Sequence, residues 1–284
     1  SGNARKGDKM ITYIPDGTQE QAAISRTTHL AISAHQDDIE FMAYAPIAEC
    51  FGSKDKWFGA IVVTDGAGSP RSGLYADYTD EQMKAVRVVE QKKAAAIGEY
   101  GFLVMLSHPS KEVKDAGNPK IVEELADLIR RARPKYLYTH NLADKHETHV
   151  ATALKVIAAL RMLKPEERPE KVYGCEVWRD LDWMNDDEKV YLDCGAHPNL
   201  MRALSAVFDS QIAGGKRYDL AAEGRRLANA TFSASHACDT CSALNYAMDL
   251  TPLMDGAVEI SAYVSGFIDR FKARVKEAIG RFLS

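Results

Sequence analysis

Short apolar runs alternate with longer amphipathic ones through the first half of the chain. The runs at 28–34, 57–64, 102–106 and 136–139 are brief, rich in Ile, Val, Leu and aromatic residues, and bounded by polar or glycine-bearing turns, which predicts four strands. Following each in turn, 39–51, 80–100, 119–133 and 146–163 repeat apolar positions at helical spacing and predict four helices. Strands that are apolar throughout must be covered on both sides, so the expected fold class is α/β, a parallel sheet flanked by helices. The second half is less regular, with strands expected at 171–178 and 189–193 and helices around 200–208 and 221–228. A long helix closes the chain. Its residues Val264, Phe267, Ile268, Phe271, Val275, Ile279 and Phe282 recur three and four apart as one stripe, for which core packing is the simplest reading and an oligomer contact the alternative.

With 284 residues, 46% of them hydrophobic, the chain is long enough to bury a full core. A net charge of −4 without a dense Lys/Arg stripe argues against nucleic acid as a partner. No apolar run reaches the ~18 residues of a membrane span and no secretory leader is evident, so the expectation is a cytoplasmic protein acting on a small molecule. Five scattered cysteines do not resemble a secreted disulfide framework. Cys238 and Cys241 have C-x-x-C spacing but lack the second pair that a structural zinc site uses. Gly66 to Arg71 suggests a phosphate loop, yet the G-x-G-x-x-G spacing fails and Pro70 interrupts it.

In an open parallel sheet, ligands bind beyond the carboxyl ends of the strands. The polar clusters fall there: His35 to Asp38 after the first strand, Thr64-Asp65-Gly66 after the second, His108-Pro109-Ser110 after the third, and His140 to His149 after the fourth. One Asp would suffice to cap the helix that starts near Ile39. His35, a second Asp and Glu40 in the same turn exceed that need, and like charges there call for a cation. His146 and His149, three apart at a helix start, share a face. Two imidazoles and a carboxylate around an open position make a catalytic zinc arrangement, leaving a spare carboxylate and a spare imidazole as base and acid.

These residues carry a family resemblance. "AHQDDIE" at 34–40 resembles the AHPDDE signature of the PIG-L/LmbE-like family of zinc-dependent N-acetylglucosaminyl deacetylases, and "DKHETH" at 144–149 resembles that family's D-x-H-P-D-H. Arg87 and Glu90 match its R-x-x-E, and "TDG" at 64–66 precedes them as it often does in the family. The resemblance covers about residues 28–160 and implies a Rossmann-like fold with one Zn2+ per chain, or another divalent transition metal in its place. It implies His35, Asp38 and His149 as metal ligands, Asp37 as general base, and His146 as the imidazole that stabilises the oxyanion and protonates the leaving amine. The resemblance implies that Arg87 would hold substrate oxygens; Arg71, on the loop after "TDG" and outside the family motifs, is a separate candidate for substrate contact. Gln36 replaces the usual Pro and is expected only to loosen the turn. Glu147 and Thr148 replace Pro and Asp, and since that Asp orients the acid histidine, Asp144 is expected to take over, with Glu40 as a further supporting carboxylate.

The expected division is a Rossmann-like metal-binding catalytic domain at 1–170 and a smaller α+β region at 171–284 that completes the fold and caps the substrate site. Polar and glycine-rich segments between Ser210 and Asp239, His236 among them, are candidates for that cap. The expected reaction is hydrolysis of the N-acetyl or another N-acyl group of an amino sugar. Two alternatives use the same residues: a non-catalytic sugar-binding protein and a non-haem iron oxygenase. A homo-oligomer is compatible with all three.

Overall fold

The structure, a computed structural model, describes residues 10–283. Its centre is one eight-stranded sheet. In chain order the strands are β1 (Ile11–Tyr13), β2 (His29–Ser33), β3 (Phe58–Thr64), β4 (Phe102–His108), β5 (Tyr136–His140), β6 (Lys171–Cys175), β7 (Val190–Asp193) and β8 (Leu244–Asp249). They lie side by side as β1-β4-β3-β2-β5-β6-β8-β7. The five from β4 to β6 are parallel, while β1 and the β8–β7 pair add antiparallel edges.

Helices α1 (Glu20–Ser25), α2 (Asp38–Met42), α3 (Tyr44–Cys50), α4 (Asp80–Ile97), α5 (Ser110–Val113) and α6 (Lys120–Ala132) accompany the first four strands. Helices α7 (Glu147–Met162), α8 (Pro198–Ala206), α9 (Asp209–Ile212), α10 (Tyr218–Ala230) and α11 (Ile260–Phe282) follow. Side chains alternate across the sheet, so Leu30 and Ile32 enter one core with Leu125, Ile129, Val156 and Leu160 of α6 and α7. Ala31, Ala60 and Val62 enter the other, with Ile39, Tyr44, Ile47 and Leu204. Small residues on that second face let α2 and α3 approach the sheet closely.

Where one helix was expected at 39–51 there are two, α2 and α3, and the break has a local and a distant cause. Pro46 has no N–H to donate to the carbonyl of Met42. That carbonyl instead accepts from Asn245 Nδ2 of β8 at 2.8 Å, and buried Arg226 of α10 donates to the carbonyls of Glu40 and Phe41 at 2.8 and 2.7 Å. The helix end is thus satisfied by side chains from the far half of the chain. The terminal helix also departs from expectation. Only Phe267 of its apolar stripe is buried, and Ile268, Val275, Ile279 and Phe282 stand exposed, so core packing holds only the helix's first half. Arg270 and Arg274 tie that helix to Glu188 and Asp187. No helix among the described residues is long and apolar enough to cross a membrane, and all five cysteines are free thiols.

Candidate metal centre

The chain winds from β2 through β3 to β4 in one direction, then returns to place β5 and β6 on the other side of β2. The crevice beside this reversal lies beyond the ends of β2 and β5, and two polar segments fill it. The turn after β2 supplies His35, Asp37 and Asp38; the start of α7 supplies His146 and His149.

His35 Nδ1, Asp38 Oδ2 and His149 Nε2 form a triangle whose three edges are each 3.2 Å. Two metal–ligand bonds of about 2.05 Å meeting at a tetrahedral angle separate their donor atoms by roughly 3.3 Å. The residues present therefore fit a four-coordinate divalent ion with one position left for solvent or substrate. The far nitrogen of His149 faces Asp144 Oδ2 at 3.4 Å, the carboxylate–imidazole pairing that orients a metal-binding histidine. His140, Asp144 and His149 also cluster closely enough to suggest a second site. It is not one, because His140 Nε2 already accepts the N–H of Ala34 at 2.9 Å and has no lone pair to spare. His140 instead stacks on His149 with ring centroids 3.9 Å apart.

The electrostatics ask for a cation. Burial works against ionising Asp38, but His149 and His35 overcome it and hold this carboxyl well below its usual range. Burial likewise opposes charge on His149, yet Asp38 and Asp144 draw its imidazole up to about 10. The same carboxylates would favour a divalent ion in place of that proton. His140 is held well below the imidazole range by burial and by His149, and stays neutral.

Asp37 is the N-cap of α2 in a left-handed conformation, φ 84°, which separates its side chain from that of Asp38. Its N–H donates to Gln91 Oε1 at 3.2 Å and its Oδ2 accepts from Arg87 at 3.1 Å. Burial raises the Asp37 carboxyl to about 8 in spite of Arg87, with Asp38 and Glu40 adding repulsion. Arg87 is itself held by Glu90 at 3.1 Å, and Glu90 accepts from both the backbone N–H and the hydroxyl of Ser210 at 2.8 and 2.9 Å. Gly66 sits against this assembly with φ 76°, and a Cβ there would lie 2.7 Å from Gln36 Oε1 and 3.0 Å from Arg87 Cγ. Glycine in "TDG" is thus required by conformation and by space.

His146 caps α7, and its Nδ1 accepts the N–H of Thr148 at 3.3 Å. In a neutral ring that bond puts the proton on Nε2. Burial and the neighbouring imidazoles of His149 and His35 lower the affinity of His146 for a second proton.

These residues open on a cleft of about 260 Å3 lined by His35, Asp37, Asp38, Arg87, His146 and His149, and by Trp178, Gln211 and Tyr218 from the second half. Four expectations change, those for Arg71, Asp144, Gln36 and His236. Arg71 is turned away, donating to Asp80 Oδ1 at 2.6 Å and the carbonyl of Ala67 at 2.8 Å, and does not line the cleft. Asp144 reaches the backbone N–H of His146 at 3.1 Å but the ring of His149, so the orientation of His146 comes from Thr148. Gln36 does not loosen its turn; it pins it to β3 through Nε2 and the carbonyl of Thr64 at 3.0 Å. Glu40 lies behind the site, accepting from Tyr100 and Gln91 at 2.6 and 2.8 Å, and touches Asp37 only through Gln91. Exposed His236 is not among the residues lining the cleft. Gln211 and Tyr218 come from the polar segment after Ser210 that was expected to cap the site, whereas sequence reasoning missed Trp178, which follows the carboxyl end of β6, where the rim argument extends to it.

Residues 30–160 match the family model described as PIG-L: GlcNAc-PI de-N-acetylase. A comparison with curated proteins finds no match. Among solved structures, a conserved protein from Thermus thermophilus superposes with a TM-score of 0.60 at 18% identity, covering 83% of this chain and 98% of that one. The N,N'-diacetylchitobiose deacetylase of Pyrococcus horikoshii gives 0.59 at 13% identity over 78% and 83%. GalB, the 4-carboxy-2-hydroxymuconate hydratase of Pseudomonas putida, gives 0.59 at 17% over 79% and 96%. At these identities the likeness is one of fold, and the fold serves more than one chemistry. The matched segment, just under half of the chain, contains the whole triangle together with Asp37, Arg87, Asp144 and His146, so the similarity to the PIG-L family covers the residues of the site.

Proposed function

We propose that this chain is a zinc-dependent N-deacetylase that hydrolyses the N-acetyl, or another N-acyl, group of an amino sugar such as an N-acetylglucosamine derivative. The observation that carries the reading is the 3.2 Å triangle of His35, Asp38 and His149, with Asp37 and His146 lining the same cleft. A divalent cation held by those three residues would supply Lewis acidity toward the acyl carbonyl and toward water. The P. horikoshii deacetylase and a teicoplanin deacetylase described in a zinc-inhibited form share the fold and support the choice of chemistry.

Asp37 takes a proton from the attacking water as its oxygen bonds to the carbonyl carbon. His146 presents Nε2–H to the oxyanion that forms, because its other nitrogen is committed to Thr148. A neutral imidazole that surrendered this proton would be left anionic. The proton that reaches the nitrogen when the C–N bond breaks is therefore the one Asp37 acquired. A carboxylate and a free amine leave. Arg87, bonded to Asp37 and Glu90, keeps the base in place.

The test is metal analysis of the purified chain with primary-amine release from a panel of N-acetylated sugars. His35→Ala and His149→Ala are expected to lose the metal, and Asp37→Asn to keep it while losing most turnover. Undiminished hydrolysis after chelation and dialysis would sink the mechanism. A chain that adds water across a C=C bond, as the hydratase GalB does, would release no amine at all.

A further inference from the structure

Away from the metal centre, a cavity of about 210 Å3 lies between α8 and α10. Asp219, Glu223 and Arg226 recur four and three residues apart, so they share the face of α10 that meets α8, where Arg202, Ser205 and Ala206 line the opposite wall. Arg202 and Ala206 stand exposed at the mouth, whereas Ser205 and Arg226 are buried at the floor.

The floor carries a charge without a counter-charge. Arg226 is only 1% exposed and burial opposes its ionisation, yet it forms no ion pair among the described residues. The comparably buried Arg87 is held by both Asp37 and Glu90. A guanidinium has five N–H groups to satisfy. Arg226 bonds through Nη2 alone, to the carbonyls of Glu40 and Phe41; Nε is sealed in without a partner, and Nη1 has no acceptor among the described residues. The carboxylates on the wall do not fill the gap. Asp219 accepts from Arg217 at 3.0 and 2.9 Å through its two oxygens, and Glu223 accepts from Arg202 at 3.0 and 2.7 Å. Each of these acids is thus matched by its own arginine, and the charge left over in the cavity wall is the positive one at its floor. An ion buried without a partner is costly, so a cavity opening beside it is a place for one.

We infer that the cavity between α8 and α10 binds a small anion, chloride or a short carboxylate such as acetate, against Nη1 of Arg226. The volume admits an anion of a few atoms together with some of its water. Through Nη2 the same guanidinium fastens the end of α2, the helix that opens with Asp38 of the metal triangle. A bound anion therefore neutralises the residue that holds this short helix in place, and its binding adds to the stability of the folded chain. The inference is independent of which reaction the metal centre performs.

The experiment is thermal unfolding of the intact chain at a fixed ionic strength of about 0.15 M, with gluconate as the bulky reference anion exchanged stepwise for chloride or for acetate. At least one of the two should raise the melting temperature along a saturating curve, by about 3 °C once it stands tenfold above its dissociation constant. The lower half-saturation point separates halide from carboxylate. Ala206→Glu, which hangs a tethered carboxylate at the mouth, should fold and lose the anion dependence. Arg226→Gln should lose it too, from a lower starting temperature; if that variant does not fold, Ala206→Glu decides alone. A rise that is linear and does not saturate, a dependence undiminished in Ala206→Glu, or identical melting in all three anions overturns the inference.

Discussion

The support that Asp144 gives His149 can be tested by the smallest change available, Asp144→Asn. The carboxylate has two jobs: Oδ1 accepts the N–H of His146 at 3.1 Å, and Oδ2 faces Nδ1 of His149 at 3.4 Å. A carboxylate accepts at both oxygens, whereas an amide offers one acceptor and one donor. If the amide oxygen stays on His146, the NH2 confronts His149 Nδ1 and forces the ring proton onto Nε2, the atom that belongs to the metal triangle. If the amide flips, the NH2 meets the N–H of His146, two donors face each other, and a buried bond is lost. Either orientation sacrifices one contact.

Loss of such a supporting carboxylate typically costs 10–100-fold in metal affinity, or about 1.4–2.7 kcal/mol. Affinity is read by competition with a chromogenic chelator at fixed pH, and folding by near-ultraviolet circular dichroism. The expected outcome is a native spectrum with metal affinity reduced by at least about tenfold. An Asn variant that holds the metal within twofold of wild type would refute the assignment of Asp144 to His149.

Three further outcomes are expected. Gly66→Ala places a methyl group against Gln36 and Arg87 at a positive φ, so it should lower stability by about 1–3 kcal/mol in denaturant unfolding and reduce turnover by disturbing Arg87. Burial raises the Glu176 carboxyl although Tyr246, Leu181 and Asn229 all donate to it. A carboxyl raised on folding binds more protons folded than unfolded, so its contribution to stability falls as pH rises from about 4.5 toward the folded value. Glu176→Gln should flatten that part of the stability–pH curve and lower stability overall, since one amide end must face a donor; an unchanged slope would contradict the assignment. On α11, Phe267→Ala should cost about 3 kcal/mol and Phe282→Ala less than about 0.5 kcal/mol, because the first ring is 7% exposed and the second 85%.

What the sequence disclosed and what it withheld follow one physical division. The five parallel strands were legible because a strand covered on both faces is apolar without interruption, and the site residues because they cluster at the ends of two such strands. β8, with Asn245 and Asp249 among its apolar residues, was missed, and so were β1, only three residues long, and α1. The break between α2 and α3 was only half visible: Pro46 is local, while Arg226 and Asn245, which satisfy the freed carbonyls, are joined to them only by folding. Periodicity showed that α11 has an apolar face but not what covers it. The partner of Asp144 was misjudged for a related reason. Nearness in sequence to His146 led to the backbone contact, but the ring it serves is set by the first turn of α7.

The base at the metal centre is positioned by residues from both halves of the chain. Asp37 is fixed by Arg87, Arg87 by Glu90, and Glu90 by the N–H and hydroxyl of Ser210 on α9. On its other side Asp37 hangs from Gln91, which also donates to Glu40, and the carbonyl of Glu40 is held by Arg226 of α10. All these groups are buried, so each bond lost would leave a desolvated polar partner at a cost of about 1–3 kcal/mol. The triangle of ligands needs only the turn after β2 and the start of α7, but the placement of the base beside it needs α9 and α10. Metal binding and base positioning are therefore separable, and a change at Ser210 or Arg226 should disturb turnover while leaving metal affinity nearly intact.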